Sequence, residues 1–483
     1  MGEDQGTAYR PNFNGSLEIE GRGDRLTSHA GVVLLRELDD KLGLTRSLSA
    51  SIADPRDQRR VRHSQSEVLR SWLYAMASES TTSVTVSNRA EDPALRMAAS
   101  DKRGVTMLDE EGGRLASQPT RSRLLANLAT EGNLDALRSG LFDSAGRAIR
   151  AMSEGQKLSE CTLDIDSYPL EVHGHQAGSE FNGHYGMRCF HPLGVMVGET
   201  GHWLDLALRP GNVHTADGAE DVLLPLIARA RGEVADKVHV RGDAGFVGPK
   251  LLDPLDEEGV RYAFRLPTNR YLKNYEEIHA RRPVGRPTAE PRTWCHDLEY
   301  RAETWKEPRR VVMTVQERPG ELYLHTFFIV TSFSPEELCA RDVLDFYRAR
   351  GTMEAHIGEH QSVINGGLSS ANRPKGHIKQ REVEKRAEPI DARAANAAAL
   401  LLHGIAYNLM NTLRLLGGTS GYPDEPAGLG LRRARSTLVA LAGRIVVSAR
   451  RAKLIVSQRT AALWARVTGR IRRLSPPVAR PAA

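Results

Sequence analysis

Cysteine is scarce in this chain. Its four residues, Cys161, Cys189, Cys295 and Cys339, are scattered, and no Cys-x-x-Cys pair occurs. That argues against a zinc finger and suits a reducing compartment. Long apolar runs are missing too: none reaches the roughly 18 residues of a membrane span. The first residues, Met-Gly-Glu-Asp-Gln-Gly, lack the basic and apolar regions of a signal peptide. The expectation is a cytoplasmic protein with no membrane contact. Acidic residues vanish after Glu425, while the same stretch carries Arg432, Arg433, Arg435, Arg444, Arg450, Arg451, Lys453, Arg459, Arg466, Arg470, Arg472 and Arg473. A block of one sign suits a phosphate backbone.

What is present is ordinary for a globular chain: 483 residues, 40% hydrophobic and 26% charged, with a net charge of +6. The length predicts several domains, and the positive balance favours an anionic partner.

The texture of the chain divides it. Residues 1–25 are polar and Gly-rich, a flexible arm. Residues 26–150 read as a helical N-terminal module. There Ser64-Gln-Ser-Glu67 has the form of a capping box ahead of Val68, Leu69, Trp72, Leu73 and Met76 at helical spacing. The basic stretch Arg56–Arg62, with Arg59 and Arg60, lies just before it. Residues 151–264 change character. Cys161–Asp166 reads as a buried strand, followed by a Gly-punctuated loop and two strands, Leu193–Val197 and Trp203–Leu208, around Gly198-Glu-Thr-Gly201. A helix near 217–231 leads to a strand ending at Asp243. Residues 265–335 read as a β insertion. Residues 336–416 return to helix, including the apolar run Asn396–Leu416, and 417–483 form a linker and a basic, helical C-terminal region. The fold class expected is α/β: a ribonuclease-H-like mixed sheet interrupted by a β-rich insertion and flanked by helical regions. In that arrangement the first and fourth strands are neighbours, so Asp166 and Asp243 meet at adjacent strand ends, a common place for active sites in open α/β sheets.

Farther along, Tyr347, Arg350, Glu354 and Gln361 are spaced by 3, 4 and 7, which places them on one helix face. Three carboxylates from two strand ends and a helix suit hard divalent cations, and an Arg beside them suits phosphate oxygens. Two such ions can activate a water and stabilise the leaving oxygen of an in-line displacement. Asp164 competes with Asp166 and Glu359 with Glu354; Asp166 is preferred because it stands at the strand end beside Ser167. His173, His175, His184 and His191 crowd one segment, either as zinc ligands or, as expected here, as loop hydrogen-bonders. Trp294 and Trp305 are either base-stacking residues or core of the β insertion.

Several stretches in this order resemble the DDE transposases of bacterial insertion sequences. They are Leu163-Asp-Ile-Asp-Ser-Tyr, His173-Gly-His-Gln, Tyr185 to His191-Pro-Leu193, Arg241-Gly-Asp-Ala-Gly-Phe and Tyr347-Arg-Ala-Arg-Gly-Thr-Met-Glu354. Leu115-Ala-Ser-Gln-Pro-Thr and His403-Gly-Ile-Ala-Tyr-Asn-Leu409 are further landmarks. The likeness runs over residues 26–474 and is greatest to the subgroup with a β insertion and a Tyr-x2-Arg-x3-Glu-x6-Lys signature, the IS thirteen-eighty group. The resemblance implies Asp166, Asp243 and Glu354 as catalytic metal ligands for Mg²⁺, with Mn²⁺ as substitute. It implies Tyr347 and Arg350 as contacts to the DNA end, hydrolysis at terminal inverted repeats, strand transfer into target DNA, and a homodimer when two ends are paired. Gln361 stands where the signature has Lys. Gln hydrogen-bonds a phosphate without supplying charge, so either activity is reduced or the charge comes from Arg373 or Lys375. Arg59, Arg60, Arg450, Arg451 and Lys453 are the expected backbone contacts, and a nucleoid-associated location follows. Two rival readings stand beside this one. The first is a catalytically impaired DNA-binding descendant; the second is a metal-dependent phosphatase or glycosyltransferase using Asp164 and Asp166, which leaves the basic tail unexplained.

Overall fold

The computed structural model describes residues 10–476, except 22, 80–89, 110–112, 173–175, 286–287, 365–367, 369–391 and 419–429. Among the described residues, a short strand β1 (Arg25–Thr27) precedes helices α1 (Val32–Leu42), α2 (Leu44–Ser51), α3 (Gln65–Ser78), α4 (Pro93–Ala99), α5 (Gln118–Leu128) and α6 (Glu131–Met152). The capping box read from the sequence starts α3: Ser64 Oγ accepts from the Glu67 amide at 3.1 Å and Glu67 accepts from the Ser64 amide at 3.3 Å.

The chain then builds β2 (Leu158–Ser167), a small sheet of β3 (Leu170–Glu171), β4 (Glu180–Asn182) and β5 (Met187–Phe190), and the hairpin β6 (Leu193–Val197) and β7 (His202–Ala207). Helix α7 (Ala219–Glu233) crosses to β8 (Ala235–Gly242), and α8 (Pro249–Glu257) to β9 (Arg261–Leu266). After α9 (Arg270–His279) come β10 (Arg292–Tyr300), β11 (Arg309–Glu317) and β12 (His325–Thr331). The main sheet has eight strands in the order β10-β11-β12-β9-β8-β2-β6-β7. Strands β2, β8 and β9 are parallel; the others pair antiparallel.

Residues 265–335 are therefore an insertion in sequence but an extension in space. Strand β12 hydrogen-bonds the edge of β9 that β8 leaves open. An unpaired edge is a template for the next strand, and the short hairpins β10–β11–β12 supply it.

Alternation along β2 sorts its side chains. Cys161, Leu163 and Ile165 enter one core with α6, α7 and α8, while Asp164 and Asp166 lie on the other face. Over that second face run α10 (Ala340–Arg348) and α11 (Gly351–Glu359). Val343 and Leu344 of α10 pack on Ala263, Val312 and Ile329. Helix α12 (Ala392–Gly417) is buried along most of its length against α6, α3 and β7. Asn408 fastens it: its side chain accepts from the Trp203 amide and donates to the Trp203 carbonyl and to Ser144 Oγ, each at 2.8 Å.

The C-terminal region departs from the helical expectation. Helix α13 (Leu431–Leu438) is followed by a hairpin, β13 (Gly443–Ser448) and β14 (Arg451–Ile455), before α14 (Gln458–Arg473). Ser448 pairs with Arg451, leaving a two-residue loop, Ala449-Arg450, with both φ values positive at 48° and 63°. That is the loop geometry matching strand twist. The β-branched run Ile445-Val446-Val447 favours extended backbone over helix. Strand β13 also pairs with β1, so the end of the expected N-terminal arm is stitched to the C-terminal region. Leu438, Ile445 and Val467 of this region are buried in a core shared with α1, α3 and α12.

Candidate active site

The parallel pairing of β2 with β8 sets the site. Ile165 stands opposite Gly242, so the next residues, Asp166 and Asp243, are side by side where the strands end. Asp243 caps a short 3-10 turn, accepting from the Gly245 amide at 2.9 Å. Gly245 is required there: a Cβ would come within 2.8 Å of the Thr215 methyl. Thr215 Oγ1 accepts from Ser167 Oγ at 3.4 Å, which ties the end of β2 to the loop before α7.

Arg350 closes the arrangement. It is 9% exposed and donates to Asp166 at 2.6 Å and to Glu354 at 3.2 Å. Burial, followed by the nearby Asp243, pushes the Asp166 carboxyl up to about 6 against the pull of Arg350. Glu354 lies in the first turn of α11 with its side chain mostly exposed. Tyr347 is half-buried on α10, and burial raises its phenol.

Tyr347, Arg350, Glu354 and Gln361 do not share one continuous helix, as their spacing suggested. The helix breaks at 349–350 between α10 and α11, and Gln361 falls in a π-helical turn, His360–Ile364. The Gln361 amide donates to the Pro169 carbonyl at 3.0 Å, back toward the end of β2. Arg373 and Lys375 lie outside the described residues, as do His173 and His175.

Asp164 and Asp166 share a face, and their partners distinguish them. Asp164 is fully buried and held by both ends of the Arg241 guanidinium at 2.6 and 2.9 Å. Arg241 also donates to the Phe346 carbonyl at 2.7 Å, fixing α10 to the sheet. Asp164 is thereby committed to structure. Glu359 is committed likewise, to the Leu431 amide at 2.7 Å and to Arg414 at 3.3 Å.

Of the remaining sequence candidates, Trp305 lies in the β core. It is buried, edge-on to Tyr300 with Arg309 over its ring at 4.9 Å. Trp294 is partly buried against the same core. Arg59 and Arg60 are exposed beside Asp57, and Arg450, Arg451 and Lys453 are exposed on the C-terminal hairpin. His191 is a loop hydrogen-bonder, Nδ1 lying 3.2 Å from the Val213 carbonyl. Arg241 and Thr215 escaped the sequence reading. A buried strand carrying Asp-x-Asp needs a counter-charge for the inner residue, and that was the available signal for Arg241.

Oxygen-only donors around a buried, proton-prone carboxylate suit a hard divalent cation. Among the described residues, though, no three Asp, Glu, His or Cys side chains converge on one point. The positive charge between Asp166 and Glu354 is the Arg350 guanidinium, 2.6 Å from the one and 3.2 Å from the other.

Comparison with known proteins adds the following. The family described as transposase DDE domain group 1 matches residues 9–476. No curated protein sequence matches. Among solved structures, the chain is similar to one in a piggyBac transposase synaptic complex with hairpin DNA, with 10% sequence identity and a TM-score of 0.37, over 84% of this chain and 78% of that one. Among the described residues, no helix is long and apolar enough to cross a membrane.

Proposed function

Because this chain belongs to the DDE transposases of domain group 1, we propose that it cuts and joins DNA at the terminal inverted repeats of a bacterial insertion sequence of the IS thirteen-eighty type. The observation that carries this reading is the side-by-side placement of Asp166 and Asp243 at parallel strand ends, with Arg350 linking Asp166 to Glu354. The strand order β7-β6-β2-β8-β9 supports a ribonuclease-H-like reading of this sheet, with β10–β12 as its extension.

DDE transposases use divalent metal ions. Here Asp166, Asp243 and Glu354 would hold Mg²⁺, which when bound supplies charge neutralisation and activation of the attacking oxygen. The chain's own residues do the rest. Asp243 is held by its turn, and Asp166 by Ser167 and Arg350, so two acids are pre-positioned. Arg350 and Tyr347 sit beside them and take the phosphate of the DNA end, Arg350 through its forked donors. Arg59, Arg60, Arg450, Arg451 and Lys453 contact duplex backbone. Two copies pair two ends, as strand transfer of both ends requires, and the protein acts in the cytoplasm on the nucleoid.

A second reading, a DNA-binding descendant with impaired chemistry, is favoured by two features: Gln361 bonds Pro169 and brings no charge, and the three acids do not converge. Cleavage of a labelled duplex carrying the element's own repeats, with Mg²⁺ or Mn²⁺, separates the two. The transposase reading expects nicking at the repeat boundary by wild type, and binding without nicking by Asp243→Ala. Tight binding with no nicking by either protein supports the second reading.

A further inference from the structure

The hairpin β4–β5 is not used by the acids, yet the fold brings its tip to them. Asn182 pairs with Met187 across the hairpin, so residues 183–186 form the turn. Asn182 shapes it: its side-chain oxygen accepts from the His184 and Tyr185 amides at 2.9 and 3.2 Å, and its amide donates to the Gly211 carbonyl at 2.7 Å. Gly186, at φ 66°, completes the turn. The hairpin is tied to the segment leaving β2, since Glu171 pairs with Cys189 and the Tyr168 amide donates to the Pro192 carbonyl.

Tyr185 stands at that tip, half-buried. Its ring meets His184 at 4.9 Å and His191 at 5.8 Å, both edge-to-face. His191 is anchored at the Val213 carbonyl, two residues before the Thr215 that contacts Ser167 and Gly245. Through these contacts the Tyr185 side chain adjoins the two strand ends. Its phenol is raised by burial and then by the negative charges of Asp166 and Asp243, so it stays protonated at neutral pH. Two imidazoles flank the ring, whereas the hydroxyl has no hydrogen-bond partner among the described residues. A neutral O–H donor beside a group of carboxylates repels no anion and can satisfy a phosphate oxygen.

Resting on the transposase reading above, we propose that Tyr185 is a substrate-contacting residue of this site, its hydroxyl donating to a non-bridging oxygen of the scissile phosphate. It would act with Arg350 and Tyr347, from a different part of the chain.

The test is equilibrium binding of wild type and Tyr185→Phe to two duplexes of the terminal repeat. One has the native scissile phosphate and the other a neutral methylphosphonate at that position. One neutral hydrogen bond predicts a loss of about five- to tenfold for Tyr185→Phe on the native duplex. The difference should vanish on the methylphosphonate stereoisomer that lacks the contacted oxygen, with melting temperature unchanged. Equal affinity of both proteins for the native duplex overturns the proposal, and so does an equal loss on the native duplex and on both separated stereoisomers. If wild type does not prefer the repeat over a scrambled duplex, the transposase reading itself fails and takes this contact with it.

Discussion

Arg350 and Asp166 lie 184 positions apart in sequence and 2.6 Å apart in space, and the guanidinium reaches Glu354 from the same position. The cation that balances the acids in this structure is thus part of the chain. Removing it leaves an anionic pocket that attracts a divalent ion more strongly. For Arg350→Gln without DNA, Mn²⁺ affinity, followed by electron paramagnetic resonance, is expected to rise about tenfold, about 1.4 kcal/mol. Repeat binding and cleavage should fall in the same variant, since the phosphate loses its forked donor. Unchanged Mn²⁺ affinity would show that Arg350 does not compete for the acids.

The two aspartates of β2 should respond in opposite ways. Asp164→Asn leaves Arg241 buried without its carboxylate. Breaking one side of a buried pair costs about 3–5 kcal/mol, so the melting temperature should drop markedly. Asp243→Asn removes a charge crowded against Asp166 and keeps the turn acceptor. Its stability should stay within about 1 kcal/mol of wild type while cleavage is lost. Thermal melts and cleavage assays on both variants decide this. A stable Asp164→Asn protein without activity would reverse the roles assigned to Asp164 and Asp166.

Much of this was legible in sequence because it depends on local pattern. The capping box at Ser64, the strand endings at Asp166 and Asp243 and the apolar run of α12 all follow from spacing. The rest depends on partners distant in the chain. Nothing near Asp164 announces Arg241, and nothing near Gln361 announces the Pro169 carbonyl. Apolar positions at 438, 445, 454 and 463 fit a helix stripe as well as a hairpin flanked by helices. The choice was made by Ala449-Arg450 adopting a two-residue turn and by β1 offering an edge. Residues 265–335 read as β-rich in sequence, but only the open edge of β9 decides that β10–β12 lengthen the main sheet.

The C-terminal hairpin presents Arg450, Arg451 and Lys453 to solvent. If they lie on duplex backbone, each phosphate contact contributes about 0.9 to the slope of log affinity against log salt. The triple variant Arg450→Ala, Arg451→Ala, Lys453→Ala should therefore flatten that slope by about 2 to 3 and weaken repeat and random duplexes alike. An unchanged slope would assign the three charges to a solvated face.

Three histidines should make this protein sensitive to mild acid. His202, His360 and His403 are buried around α12, and burial lowers them to about 3, 3 and 4. Each is neutral when folded, while the unfolded chain binds a proton near pH 6.5. Between those values the unfolded state holds more protons, so stability is full above about 6.5 and is lost as pH falls. The slope is about 1.4 kcal/mol per pH unit for each histidine. The raised carboxyls of Asp164 and Asp166 work the other way, because there the folded state binds more protons as pH falls. The difference between wild type and a variant isolates the histidine effect. His202→Asn keeps a polar group facing Thr412, which His202 Nε2 meets at 3.0 Å. Chemical denaturation at pH 7.5, 6.5 and 5.5 should show the variant losing less stability on acidification, by about 1 kcal/mol over the last interval. Parallel pH profiles for the two proteins would mean that His202 does not resist protonation in the folded state.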